Sequence, residues 1–343
     1  MKILTENWKA WGLVLLCVAA PIGVFVIGKG GLVAFSVCDI SYQYTCYSGA
    51  SGAQKAAEAA GRYTWLSSVF IMAAICLLAV VYFVIRIVSR KSWSLFLTTH
   101  AIVLAGVCGL LYAHAVIGEQ KTFQCVSNEL FHNTIGSTEL MKKLSSILYD
   151  SPLTLYDLVS YVEYIVIIAG FAISVGVAFL TFEQNDKRKY DLDVIKSNIL
   201  ELRSYLYLGA LGLVSGLMSL RNFFYWPQHF VTERPKGEVA ESAMRAEYLA
   251  HVDAVVLYQS MVYVVLLGVM FGIPYVIFIA RARAIAREEL VKMKQPDTLS
   301  AIRGWLDKKE FKISLPEQMG QLVAILSPVL MGSASSILPG IVG

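Results

Sequence analysis

Two ionisable side chains stand out in this sequence because they fall inside long apolar segments: His114 and Glu163. A carboxylate within a bilayer is costly unless it is paired. The helix directions derived below place both residues at similar depth, so we expect a His114–Glu163 contact that responds to protons or cations. The competing interpretation is a single structural hydrogen bond, or two side chains that reach the membrane interface separately.

The remaining histidines do not predict a cofactor. A bis-histidine haem needs ligands on two facing helices. His100 and His114 lie on one predicted span, and the other three histidines, His132, His229 and His251, lie in predicted loops or at an edge. We therefore expect no haem and no other cofactor. No spacing of His, Cys, Asp and Glu indicates a metal site or a named reaction, which argues against an enzyme.

A basic segment follows the last apolar segment and holds five candidates for binding an anionic ligand, such as a nucleotide or a lipid headgroup. The orientation of any membrane protein also requires basic residues on the cytoplasmic side, and this interpretation stays open. The five candidates are Arg281, Arg283, Arg287, Lys292 and Lys294.

The cysteines divide by their surroundings. Cys17, Cys76 and Cys108 lie in apolar segments, where a thiol behaves as a small hydrophobic group. Cys38 and Cys46 lie in one polar loop. They form a candidate disulfide if that loop faces an oxidising compartment.

The composition places the chain in a membrane. Hydrophobic residues make up 57% of it and charged residues 16%, whereas soluble proteins contain roughly 45–50% and 25%. The mean hydropathy is +0.60. One buried core cannot hold this much apolar surface, so we predict an all-α polytopic membrane protein.

Six segments are long and apolar enough to cross a bilayer, which takes about 20 residues. The first could be a signal peptide, but its apolar stretch continues past Pro21, which favours an uncleaved anchor. The six segments are Trp11–Gly28, Trp65–Val88, Leu95–Ile117, Leu158–Phe182, Tyr205–Leu220 and Ala254–Ala280.

Lysine and arginine set the orientation of these segments. Most of the 29 Lys and Arg lie on the side of the N-terminus. We therefore predict a cytoplasmic N-terminus, three hairpins that reach outward, and a location in a bacterial inner membrane. This six-helix domain covers residues 1–280, with outer loops at 29–64, 118–157 and 221–253, parts of which have helical patterns.

Cytoplasmic helical extensions are predicted beyond the fifth and sixth spans. An apolar stripe at helical spacing leads into the fifth span. Residues 281–315 continue the sixth span to Pro296 and then form a short helix that begins at Thr298 or Ser300. The stripe consists of Leu192, Ile195, Ile199, Leu202 and Leu206.

The C-terminal tail, residues 316–343, is apolar, and its last 26 residues, from Gln318 to Gly343, carry no charge. Proline and glycine make this tail a poor straight helix. We expect a re-entrant or interfacial segment, with a seventh span as the alternative. The aromatic segment Asn222–Phe230 predicts a belt at the membrane interface, with a ligand platform as its alternative.

Small residues at four-residue spacing predict close helix packing, either within one bundle or between subunits. The pairs are Gly170 and Ser174, Gly212 and Gly216, and Gly268 and Gly272.

Taken together, these features favour an oligomeric ion channel or pore that is gated from its cytoplasmic helices. A hydrophobic constriction can gate without charged residues, and oligomers form closed rings. The expected partners are the lipid bilayer and further copies of the chain or other membrane subunits. Two alternatives remain: a structural or assembly subunit of a larger complex, such as a secretion or envelope machine, and a secondary transporter.

Overall fold

The computed structural model of this protein describes residues 17, 19–24, 27, 51–89, 155–182, 192–231, 241–309, 311 and 320–330. Nearly all of these residues are helical, which confirms the all-α prediction for this part of the chain. A short 3-10 helix, Trp226–Phe230, follows α3. In chain order the α-helices are α1 (Gly52–Ser89), α2 (Leu155–Phe182), α3 (Leu192–Tyr225), α4 (Glu241–Lys292), α5 (Leu299–Lys308) and α6 (Gly320–Leu330).

Three of these helices are long and apolar enough to cross a bilayer, which is compatible with an integral membrane protein. They are α1, α2 and α4, whose candidate spans are Gly52–Val88, Tyr164–Thr181 and Arg245–Lys292. α3 is not among them, although it contains the predicted fifth span. Its uncharged stretch between Arg203 and Arg221 is 17 residues long, which is shorter than the roughly 20 residues of a membrane span.

Four of the six predicted spans fall inside described helices, namely the second, fourth, fifth and sixth in α1 to α4. Most of the first span and all of the third lie outside the described residues. α1 already begins at Gly52 and α4 at Glu241. The outer loops predicted at 29–64 and 221–253 are therefore helical where they approach the spans.

α3 runs opposite to α1, α2 and α4. At its C-terminal end, the Phe223 ring lies 5.5 Å from the Trp65 ring of α1, and the Tyr248 hydroxyl of α4 donates to the Phe224 carbonyl at 2.6 Å. Towards its N-terminal end, Tyr205 packs against Gly176 of α2. One large apolar cluster joins these four helices and α6.

The N-terminal part of α3 packs with the C-terminal part of α4 and with α5. All five members of the predicted apolar stripe of α3 are buried, from Leu192 to Leu206, which confirms that prediction. Ile302 of α5 packs on Ala286 and Leu290 of α4. The Thr298 hydroxyl accepts from the Ala301 amide at 3.3 Å and caps α5, as the sequence predicted.

The tail contains a helix that packs on this bundle. Ala324 of α6 is buried in the large apolar cluster, and a Cβ at Gly320 would lie 3.3 Å from the Tyr207 hydroxyl of α3. α6 is shorter than the roughly 20 residues of a membrane span. Residues 331–343 lie outside the described part of the chain, so the choice between a re-entrant tail and a seventh span stays open.

Candidate functional site

A charged pair joins α1 to α3 near one end of the bundle. Arg86 Nε lies 3.6 Å from Glu201 Oε1 and donates to the Tyr82 hydroxyl at 3.3 Å. The Glu201 side chain is 7% exposed, whereas the Arg86 side chain is 44% exposed. The pair therefore joins a buried carboxylate on α3 to a half-exposed guanidinium on α1.

The end of α2 is held by α3 and α4 at the same level. The last four carbonyls of a helix have no partner within the helix. The Leu180 carbonyl accepts from Asn198 Nδ2 of α3 at 3.4 Å, and the Thr181 carbonyl accepts from Arg281 Nη1 of α4 at 2.9 Å. We call these two contacts, together with the charged pair above, the Glu201 layer.

At the opposite end of the bundle, a buried carboxylate joins α1 to the 3-10 helix. Glu58 is fully buried and accepts from Trp226 Nε1 at 2.9 Å and from Arg62 Nη2 at 3.3 Å. The Trp226 indole also stacks on Trp65, with ring centroids 5.4 Å apart. A buried charge is tolerated when it is paired and hydrogen-bonded, as it is here.

Two more polar contacts hold the 3-10 helix at this end. Gln54 Nε2 of α1 donates to the His229 carbonyl, and Arg245 Nη2 of α4 donates to Gln228 Oε1, both at 3.2 Å. Burial, and next the charge of Arg245, lower the pKa of His229 below its ordinary value. We call these contacts and those of Glu58 the Glu58 layer.

The two layers lie about one hydrocarbon thickness apart. α1 has no charged residue between Arg62 and Arg86, a distance of about 36 Å at 1.5 Å per residue. The uncharged stretch of α3 between Arg203 and Arg221 covers about 27 Å. The hydrocarbon core of a bilayer is about 30 Å thick, so both layers would lie at its two faces.

A polar stripe runs along α3 from one layer to the other. Its positions follow one another at steps of three or four residues, so they share one side of the helix. Leu208 is the single large apolar member. The stripe consists of Glu201, Ser204, Leu208, Gly212, Ser215, Ser219 and Asn222.

The stripe lies partly inside the bundle, while some apolar residues of α3 face outward. Ser215 and Ser219 are buried, whereas Leu211 and Met218 are exposed. The Ser215 hydroxyl donates to the Gly212 carbonyl of its own helix at 2.9 Å, which leaves its oxygen able to accept from another group. A Cβ at Gly212 would meet nothing within 4 Å among the described residues. This side of α3 is therefore polar and carries mostly small side chains, with free space beside Gly212 among the described residues.

The proposed His114–Glu163 contact falls outside what the structure describes. His114 lies in an undescribed segment, and Glu163 lies in α2, where residues 155–163 are described by their backbone alone. The candidate disulfide of Cys38 and Cys46 also lies outside the described residues. Cys17 and Cys76 are free and buried, as expected of thiols in apolar segments.

The five basic candidates for an anionic ligand do not converge on one point. Arg281 reaches into the bundle to the α2 carbonyl, and Arg283 is exposed. Arg287 pairs with Asp297 at 3.7 Å. Lys292 pairs with Glu288 and Glu289 at 3.2 and 2.8 Å, and Lys294 is exposed.

The predicted small-residue pairs make few close contacts within the described bundle. A Cβ at Gly170, Gly268 or Gly272 would meet nothing within 4 Å there, as at Gly212. Gly216 lies at ordinary contact distance from Met72, and the Ser174 hydroxyl contacts Met270 Sδ at 3.2 Å. Packing against undescribed segments or other subunits stays a prediction for the open glycines.

The closest approaches occur instead at two glycines that the sequence did not single out. A Cβ at Gly176 would lie 2.5 Å from the Tyr205 ring, and a Cβ at Gly61 would lie 3.2 Å from Trp226. Their partners lie on other helices, so neither contact could be predicted from the spacing of neighbouring residues in the sequence.

The interpretation of the aromatic segment 222–230 as an interfacial belt is wrong for four of its rings. Phe223, Phe224, Trp226 and Phe230 are buried in an apolar cluster with Trp65 and Tyr248. The 3-10 helix turns the chain back between α1 and α4, which places these rings inside the protein.

Among the described residues, no group of three or more His, Cys, Asp or Glu side chains could hold a metal ion. No family model, curated protein or solved structure matches the chain.

Proposed function

We propose that the protein is an integral membrane protein that assembles into a homo-oligomeric ion channel in a bacterial inner membrane. Its N-terminus and the Glu201 layer lie on the cytoplasmic side, and three hairpins reach outward. The channel conducts ions and has no enzymatic role. The observation that carries the proposal is the polar stripe of α3.

The spacing of the two polar layers supports the position in the membrane. Charged side chains gather at the ends of an uncharged region that matches the thickness of a bilayer. The opposite direction of α3 relative to its neighbours agrees with a chain that crosses repeatedly. The Cys17 thiol lies near the Thr181 side chain of α2, so this part of the first span lies beside the C-terminal part of α2.

The polar stripe supports conduction. Polar groups are unfavourable on a helix that is surrounded only by lipid and apolar side chains. Hydroxyl groups spread over the full length of a span therefore favour a polar path beside it. In each subunit of the ring, the stripe would line a path with the hydroxyl oxygens of its serines and the small side of Gly212. Such a path suits partly hydrated ions, because oxygen atoms can replace water at the ion.

α4 supports gating from the cytoplasm. It is one helix of 52 residues, about 78 Å long, and it contacts both polar layers as well as α5. A movement of α5 is therefore passed along α4 to the Glu201 layer without a break in the helix.

The test is ion flux into liposomes that contain the purified protein, compared between two glycine variants. Gly212→Leu puts a large side chain on the stripe, and Gly268→Leu puts the same side chain on α4. Neither glycine has a neighbour within 4 Å in the described bundle, so both variants are expected to fold. We expect flux to be lost in Gly212→Leu and retained in Gly268→Leu.

Equal flux in the two variants, or no flux from the unaltered protein, contradicts the channel. A protein that conducts nothing and purifies with fixed partners is an assembly subunit instead. Saturable uptake of one solute by a monomer indicates a transporter.

A further inference from the structure

The acidic end of the polar stripe has the properties of an ion site. Glu201 is the single carboxylate on the stripe, and it lies in the Glu201 layer at one end of the uncharged stretch of α3. Its side chain is 7% exposed. A carboxylate in such a place attracts cations more strongly than it would in water, because the surrounding medium screens its charge less.

A positive charge from the same chain already lies beside this carboxylate. Arg86 Nε is 3.6 Å from Glu201 Oε1, which is longer than the 2.7–2.9 Å that is usual for a charge-assisted hydrogen bond. Arg86 donates its Nε–H to Tyr82, one turn earlier on α1, and its guanidinium lies 5.3 Å from the Tyr82 ring centroid. Arg86 therefore contacts both Tyr82 of its own helix and Glu201 of α3.

The geometry points to Glu201 as the cation-selective site at the cytoplasmic mouth, with Arg86 as a built-in cation that occupies it in the closed state. This inference rests on the proposed channel and adds the class of ion and the means of closure. The permeant ions are cations, and a permeant cation replaces the guanidinium when α1 and α3 move apart.

The separation needs only a small movement. The two charges lie on different helices, so a shift of α3 against α1 lengthens the pair directly. Asn198 and Arg281 hold the end of α2 at the same level, and Arg281 belongs to α4. α4, which contacts α5, therefore also contacts the Glu201 layer, in which the Arg86–Glu201 pair lies.

The experiment measures the reversal potential and the flux of the full-length protein in vesicles of phosphatidylcholine and phosphatidylglycerol with a KCl gradient. For the unaltered protein, we expect a reversal potential close to the equilibrium potential of K⁺. Glu201→Gln shifts the reversal potential towards zero or towards the equilibrium potential of Cl⁻, whereas Glu201→Asp leaves it unchanged. Arg86→Gln raises the flux in the absence of any stimulus and keeps the cation preference.

Asp193→Asn is the matched control. Asp193 lies two turns earlier on α3, is 84% exposed and pairs with Lys196, so its removal changes the charge of the same helix end but not of the stripe. The reversal potential of this variant stays that of the unaltered protein. Thermal unfolding in detergent identifies any variant that has lost its fold.

The outcomes separate this inference from the channel itself. A channel that conducts with the same ion preference in Glu201→Gln as in the unaltered protein overturns the inference and leaves the channel in place. Arg86→Gln gives a second test if Glu201→Gln does not fold, since unchanged resting flux there overturns the closure by Arg86. Absence of flux from both the unaltered protein and Arg86→Gln overturns the channel and, with it, this site.

Discussion

The tightest contact in the bundle gives a prediction that can be worked out from the structure. Gly176 of α2 lies beneath the ring of Tyr205, and an added Cβ would lie 2.5 Å from Cζ, 2.6 Å from Oη and 2.8 Å from Cε1. Tyr205 is 1% exposed. The Tyr82 ring packs edge-on against it at 5.1 Å, so the ring has little room to move away.

Gly176→Ala therefore forces either a side-chain rearrangement or a shift of α2 against α3. Overpacking of this kind costs about 1–3 kcal/mol, while the exchange of glycine for alanine within a helix gains about 1 kcal/mol. Gly170→Ala is the matched control, because it lies on the same helix and meets nothing within 4 Å in the described bundle. Helix propensity cancels between the two variants, so their difference of about 1–3 kcal/mol isolates the clash.

The assay is thermal unfolding of the purified protein in detergent. An unfolding entropy of about 2.1 cal/mol/K per residue over 343 residues gives about 1.4 °C per kcal/mol. Gly176→Ala is therefore expected to melt about 1–4 °C below Gly170→Ala. Replacing Tyr205 with leucine in the Gly176→Ala background should recover part of this difference. Equal melting temperatures for the two alanine variants would refute the close approach of α2 and α3, and with it the position of Tyr205.

Three further predictions concern the ends of the bundle. Ile302→Ala should destabilise the contact of α5 with α4 by about 2–5 kcal/mol, because Ile302 is 3% exposed, whereas Leu299→Ala, at a 76% exposed position, should change the melting temperature little. Trp226→Phe removes the indole N–H that bonds to the buried Glu58 carboxylate, and the loss of a hydrogen bond to a charged group should cost about 1.5–3 kcal/mol in thermal unfolding. The pKa of His229 is lowered from 6.5 by burial and next by a neighbouring arginine, so its contribution to stability is present above pH 6.5 and is lost as the pH falls through the lower folded value. The melting temperature should therefore fall more steeply on acidification in the unaltered protein than in His229→Gln, and parallel curves would contradict this assignment.

Much of the helical framework could be predicted from the sequence because it follows from local patterns. The apolar stripe Leu192–Leu206 is buried as its spacing indicated, since one face of an amphipathic helix has to be covered. Thr298 caps α5 because a hydroxyl before a helix can satisfy a free amide. Both inferences need only neighbouring residues.

The contacts that define the two layers could not be predicted, because they join residues that are far apart in the chain. Glu58 meets Trp226, and Gly176 meets Tyr205, and neither pairing leaves a mark on local spacing. The aromatic segment was misjudged for a related reason: a turn of 3-10 helix decides whether those rings face lipid or the interior. The polar stripe of α3 follows from local spacing, but it consists largely of serines and a glycine, which mark a functional surface less clearly than ionisable residues do.

The central claim is that the bundle crosses a bilayer with the Glu58 layer outside and the Glu201 layer inside. Its most direct test is labelling of intact cells with a membrane-impermeant thiol reagent, after the six native cysteines are replaced by serine. Ser51→Cys, at the exposed start of α1, and Leu299→Cys, at the exposed start of α5, supply single targets at opposite ends. The account predicts that Ser51→Cys reacts in intact cells and that Leu299→Cys reacts only after the membrane is opened. Labelling of both positions from the same side would contradict it.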